Sequence, residues 1–204
     1  NSDVVSFVIQ TKAPFKPLDE QGEGDTQGEE APKNTGPSVV EESLTNSDGT
    51  GVVTENTAGK TRNLPVADDL VSILAKAGQA AGVNVNVTSG GQPAKGTSTN
   101  RTGSERHDNG HAADVQLTTA NGRVLDLNNA QDLPIIQNFI KEAKKAGATG
   151  FGAGNGYMGD NTFHIDNASL YGQGKAGYWG GPLEGNTYRS KNAPQWLKDI
   201  VTGT

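Results

Sequence analysis

Between Leu64 and Gly90 the chain changes from one apolar period to another, and this change limits its possible folds more than any other feature. In LPVADDLVSILAKAGQAAG the apolar residues Val66, Leu70, Ile73, Leu74 and Ala77 fall close to a helical stripe, which predicts a helix that stops at Gly82. VNVNVTSG follows at once and alternates strictly, as a strand with one buried face does. A striped helix beside a one-faced strand must cover that face, so a layered α+β architecture is expected. Downstream, HAADVQLTTANGRVLDL holds two alternating runs around Asn121-Gly122, the strongest short hairpin signal. DLPIIQNFIKEAKKAG reads as a second helix with Ile135, Ile136, Phe139, Ile140 and Ala143 on one side, lysines in its last turn and Gly147 as its stop. FGAGNGYMGD reads as loop, TFHID as a short strand, and NAPQWLKDIV as a closing helix with Pro194 in its first turn. The expectation is an α+β domain over residues 63–204, built on a small antiparallel sheet with flanking helices.

Residues 1–62 read differently. The run PLDEQGEGDTQGEEAPKNTGPS is rich in Gly, Glu and Pro and carries too little apolar surface to offset the entropy of ordering it. An extended acidic arm or linker is expected there, or an arm that orders against partner subunits. Three short runs within it are strand-like: VVSFVIQ (4–10) and, more weakly, SVVEESL and GVVTEN.

Charge and composition exclude several classes. Residues 1–60 carry a net −7 and residues 61–204 a net +1, so the −6 of the whole chain belongs to the arm and says little about a substrate. Neither part holds a dense basic patch, which argues against nucleic acid as the main ligand. No run of 18 apolar residues exists, so no membrane span is expected, and NSDVVSFVIQ lacks the marks of a secretory leader. GNGYMG matches a dinucleotide fingerprint by letter only, because a helix precedes it and a strand follows. With no cysteine, disulfides and thiolate metal sites are excluded.

That leaves nitrogen and oxygen ligands, and the chain has three histidines confined to two short segments, HDNGHAAD and TFHID. In the first, Gly110 lets the chain turn, and Ala112 and Ala113 let it pass close to its neighbours. His107 and Asp114 can then face one point, with His164 as the third ligand from a distant segment. Imidazole and carboxylate without sulfur suit a catalytic zinc site with one open position. His111 has the wrong parity for a ligand and is expected at the pocket rim or behind the ligands. The alternative is three histidines making ordinary hydrogen bonds.

Ser104, His107, Gly110, Ala112 and Asp114, followed by the His164 segment, resemble the zinc D-Ala-D-Ala carboxypeptidase and L-alanyl-D-glutamate endopeptidase family, whose members carry S-x-H-x-x-G-x-A-x-D. Here the serine is one place early and Glu105 stands at its usual position. VTSGGQP resembles the segment that usually reads S-G-Y-R upstream. GSERHDNGHAADVQL and GAGNGYMGDNTFHID together look most like the variants in phage lysins and virion-associated hydrolases. The resemblance spans roughly residues 65–180. It implies the small DD-peptidase/hedgehog-like α+β fold, zinc held by His107, Asp114 and His164, and a peptidoglycan stem peptide as substrate. With the acidic arm, it implies a virion-associated cell-wall hydrolase acting at the cell wall or in the periplasm, with residues 1–62 free to contact other virion subunits.

The departures from that pattern shape the remaining expectations. Many relatives place a carboxylate three residues before the third ligand as general base; here that position is Asn161. Asp166 is the preferred substitute, because on a strand its side chain faces the same way as that of His164; Asp160 is the second choice. Asp166 can equally be a carboxylate that orients a ligand histidine. Glu105 and Asp108 are weaker candidates. Gln92 replaces the arginine that grips substrate in relatives, and Arg101 or Arg106 can serve in its place. Tyr157 is expected in the cleft wall, with Tyr178 and Trp179 as an aromatic floor. Asn161 and Gln92 leave open a non-catalytic structural or wall-binding protein of the same fold.

Overall fold

A computed structural model describes residues 49–204. The strand-like runs VVSFVIQ and SVVEESL lie outside the described residues. Seven strands form one sheet: β1 (Val53–Glu55), β2 (Asn84–Ser89), β3 (Ala112–Thr118), β4 (Gly150–Gly152), β5 (Phe163–Asp166), β6 (Gly177–Glu184) and β7 (Thr187–Arg189). Their spatial order is β1-β2-β3-β5-β4-β6-β7. Three helices accompany them: α1 (Asp68–Ala81), α2 (Leu133–Ala146) and α3 (Gln195–Thr202).

The α+β class is as expected, but the sheet is mixed rather than antiparallel. Its centre, β2-β3-β5-β4, is antiparallel, whereas β1 pairs parallel with β2 and β4 pairs parallel with β6. The first parallel pair follows from connectivity, because β1 reaches β2 through α1, a crossover that returns the chain in the same direction. β1 is the GVVTEN run, so the sheet begins inside the stretch read as arm. Val53 and Glu55 are buried there against the domain.

The helical stripe meets the sheet as its spacing requires. Val66, Leu70, Ile73, Leu74 and Ala77 are all buried, and Gly82 ends α1 in the left-handed conformation. Val85 and Val87 of β2 face them, while Asn84, Asn86 and Thr88 turn to the half-exposed side. α2 packs against α1 and brings Phe139 edge-on to Phe163, with centroids 5.9 Å apart. Phe139, Phe151 and Phe163 are fully buried in the resulting core. Each such side chain contributes about 2–3 kcal/mol by leaving water. Because strand side chains alternate, seating Ala113, Val115, Phe163 and Ile165 in the core turns Asp114, His164 and Asp166 to the opposite face.

Two local expectations differ from the structure. The chain reverses at Asn121-Gly122, but the returning run makes only the bridge Thr118 to Val124 and no second strand. Leu125 and Leu127 dip into the core instead, while Arg123 and the Asp126 N–H bond the buried Asp132 carboxylate. The segment FGAGNGYMGD is loop only from residue 153, since Phe151 and Gly152 belong to β4.

Candidate metal centre

Asp114 and His164 are direct partners across β3 and β5. Their side chains share a face, and His164 Nδ1 lies 2.9 Å from Asp114 Oδ1. His107 reaches them from a short 3-10 turn, Glu105–His107, where the Ser104 hydroxyl accepts the Arg106 N–H. The turn docks because Gly110 passes close to the chain ahead of α1: a Cβ there would lie 2.5 Å from the Pro65 carbonyl oxygen, and its φ is +83°. His107 Nδ1 donates to the Gly90 carbonyl at 2.8 Å, which leaves Nε2 facing Asp114 Oδ1 at 3.5 Å. All three residues are buried, and their ligand atoms lie within 4.8 Å of one another.

These residues fit a divalent cation. The donor set is two imidazole nitrogens and one carboxylate oxygen, and bonds of about 2.0–2.1 Å would set the donors roughly 3.3 Å apart in a tetrahedral site. Two of the three separations, 2.9 and 3.5 Å, already bracket that value. The donor set does not by itself choose zinc over other divalent ions.

The electrostatics follow from burial and two carboxylates. Burial pushes the His107 pKa below that of ordinary histidine, and the Asp114 hydrogen bond only partly offsets it. Burial also disfavours charge on His164, but the hydrogen bonds and charges of Asp114 and Asp166 outweigh it and raise its pKa. Burial would raise Asp114 too; the hydrogen bonds from His107 and His164 prevail and hold it far below the usual carboxylate range.

Each carboxylate is backed by an arginine. Asp166 accepts from His164 Nε2 at 2.9 Å, from Arg106 Nη1 at 2.9 Å and from the Ala168 N–H at 3.2 Å. It is fully buried and lies across the His164 ring from Asp114, so its place is that of an orienting carboxylate rather than a free base. Gly150 makes room for it, since a Cβ at that position would overlap the carboxylate. Arg62 Nη1 lies 3.4 Å from Asp114 Oδ2, leaving Oδ1 toward the histidines. Arg62 falls in the stretch assigned to the arm, and only the strand-like GVVTEN just before it hinted that this stretch joins the domain.

A cleft of about 440 Å³ opens over the three ligands. Among the expected residues Arg106, Tyr157 and Trp179 line it, joined by Arg62, Met158 and Tyr188. Trp179 connects several of them: Arg106 lies over its ring at 4.6 Å, His164 is tilted against it at 5.1 Å, and its Nε1 donates to the Tyr157 hydroxyl oxygen at 2.6 Å. Tyr178 packs toward the core instead. The β6–β7 hairpin that carries Tyr188 was not foreseen, since GYWGGPLEGNTYR lacks clean alternation.

Other expected residues lie elsewhere. Gln92 is fully buried and bonds the Ser104 carbonyl, Asp108 and the Thr102 N–H, so it braces the loop before His107. Arg101 grips Asp108 through both carboxylate oxygens and the Pro93 carbonyl through Nε. Asp160 is exposed and does not line the cleft; its carbonyl accepts from the Leu127 N–H. His111 stacks on Tyr171, with centroids 3.6 Å apart, away from the cleft. Among the described residues no helix is long and apolar enough to cross a membrane. Comparison with family models, curated proteins and solved structures finds no match to this chain.

Proposed function

We propose that this protein is a zinc metallopeptidase that hydrolyses amide bonds of peptidoglycan stem peptides, as a virion-associated cell-wall hydrolase of phage type. The observation that carries this reading is the convergence of His107, Asp114 and His164 to within 4.8 Å at the base of a cleft large enough for a short peptide. His107, Asp114 and His164 would hold a zinc ion, which would supply Lewis acidity for a carbonyl and for the activation of water. The chain's own residues do the rest. Asp166 and Arg106 fix the His164 ring, Arg62 steadies Asp114, and the aromatic wall of Trp179, Tyr157 and Tyr188 seats the peptide. The resemblance in GSERHDNGHAADVQL and TFHID supports the substrate class, and the acidic arm supports attachment to a larger particle.

A second reading is favoured by one observation: among the described residues Asp114 is the only carboxylate that lines the cleft. A domain with no free general base suits a wall-binding or structural protein that keeps the metal for its fold.

Metal analysis and incubation with purified peptidoglycan decide between them. One equivalent of zinc and new free amino groups, both lost in His107→Ala, establish the peptidase. Metal without cleavage favours the wall-binding protein, and absence of metal overturns both.

A further inference from the structure

The cleft has two tyrosines, and their hydroxyls are in different states. The Tyr188 hydroxyl is spent, donating to the Tyr157 carbonyl at 2.6 Å. The Tyr157 oxygen is an acceptor: Trp179 Nε1, which can only donate, sends its hydrogen to it. The Tyr157 hydrogen therefore cannot point at Trp179, and among the described residues it has no acceptor. It is free to turn away from the indole, and Tyr157 is one of the residues that line the cleft.

The position of that hydroxyl is set by the sheet. Gly152 pairs with His164 across β4 and β5, and His164 pairs with Asp114 across β5 and β3, so the three stand in one row. A Cβ on Gly152 would come within 2.8 Å of the Tyr157 hydroxyl and would overlap the Trp179 indole nitrogen. The phenol oxygen thus occupies the space over the third member of the row, about one strand spacing, roughly 4.8 Å, from the His164 strand. Its ring is fixed edge-on against Tyr188, with centroids 4.5 Å apart. Burial also keeps the phenol protonated, outweighing the Trp179 hydrogen bond and pushing its pKa well above that of ordinary tyrosine. The cleft arginines are engaged with Asp114 and Asp166, and Gln92 is sealed in the loop behind His107.

We propose that Tyr157 is a catalytic residue whose hydroxyl donates a hydrogen bond to the oxygen of the scissile carbonyl as that oxygen gains negative charge. This rests on the peptidase reading above. Water adds its oxygen to the acyl carbon and the carbon–nitrogen bond breaks. Both hydrogens of the water end on the departing amine, which leaves as ammonium, and the acyl product leaves as carboxylate. Tyr157 keeps its proton throughout, so it stabilises charge without titrating.

The test is Tyr157→Phe in the full chain loaded with zinc, which removes the hydroxyl and keeps the ring against Tyr188. Turnover is measured on purified peptidoglycan. Metal content and the affinity for a phosphinate analogue of D-alanyl-D-alanine, a mimic of the tetrahedral centre, are measured beside it. The expected result is a fall in kcat of about 10²- to 10³-fold with little change in KM, weaker phosphinate binding, and unchanged zinc. A Tyr157→Phe protein that turns over like the wild type overturns the role while leaving the peptidase reading intact, and so does one that loses its zinc. A wild-type chain that holds zinc, cleaves nothing, and binds the phosphinate no better than Tyr157→Phe overturns both.

Discussion

Asp114 and His164, fifty residues apart in sequence, face each other directly across β3 and β5, and the His164 Nδ1 to Asp114 Oδ1 distance is 2.9 Å. Two of the three residues that could hold a metal ion are therefore placed by backbone pairing alone, and only His107 depends on a turn. This arrangement separates the residues placed to hold the centre from those placed to tune it.

Asp166→Asn should weaken metal binding without abolishing it. The substitution exchanges one of the carboxylate oxygens that serve His164, Arg106 and the Ala168 N–H for an amide nitrogen and removes the negative charge. A loss of about 10- to 100-fold in zinc affinity is expected, measured by competition with a chromophoric chelator. An unchanged affinity would mean that the ring of His164 is held without Asp166.

Arg62→Met should have a smaller effect of the same sign. Arg62 meets Asp114 at 3.4 Å and its side chain is partly exposed, so roughly 1 kcal/mol or less, about fivefold in affinity, is expected. A fully conserved affinity would assign Arg62 to the loop it also bonds, through the Thr102 carbonyl.

Gly150→Ala should damage both fold and centre. The added methyl overlaps the Asp166 carboxylate, which is buried and has nowhere to retreat. A destabilisation of about 1–3 kcal/mol is expected from urea unfolding, together with weaker zinc binding. Gly122→Ala, in a turn where the Cβ meets nothing within 4 Å, should leave zinc binding as it is.

The Arg123–Asp132 pair should make stability fall at acid pH. The Arg123 hydrogen bonds hold the Asp132 carboxyl below its ordinary value. A carboxylate depressed in the folded state contributes stability above its unfolded pKa, about 3.9, and loses it as pH falls through the folded value. Asp132→Asn should therefore be less stable than wild type at pH 7, by about 1 kcal/mol. The difference should close progressively below about pH 4 in denaturation curves taken across pH.

Much of this fold was legible in the sequence because its elements carry strong, single-period patterns. Leu70, Ile73 and Leu74 announced α1, and Val85 and Val87 announced β2, since burial on one face leaves a periodic trace. The candidate metal triad is legible because the chain confines its three histidines to two short segments. The edge pieces are not. β1 and β4 are three residues long, too short to show a period, and β4 is GFG, where glycines were read as loop. In fact those glycines are strand residues whose missing side chains make room for Asp166, Tyr157 and Trp179. The place of Arg62 is a tertiary fact with no local signature. Gln92 is expected to face substrate from the resemblance of its segment, and Arg101 as a replacement for the arginine of relatives, whereas both bond to Asp108.

The cross-strand origin of the centre also ties metal to sheet register. Were β5 to slip by one residue against β3, every side chain on it would change face: His164 would enter the core and Ile165 the cleft. A bound cation tolerates no such slip, because it needs nitrogen from β5 and oxygen from β3 at the same point. A bound divalent cation would then act as a register pin, adding its binding energy to the pairing of β3 with β5 and little to the β6–β7 hairpin at the sheet's edge. Amide hydrogen exchange would register this as metal-dependent slowing confined to the central strands.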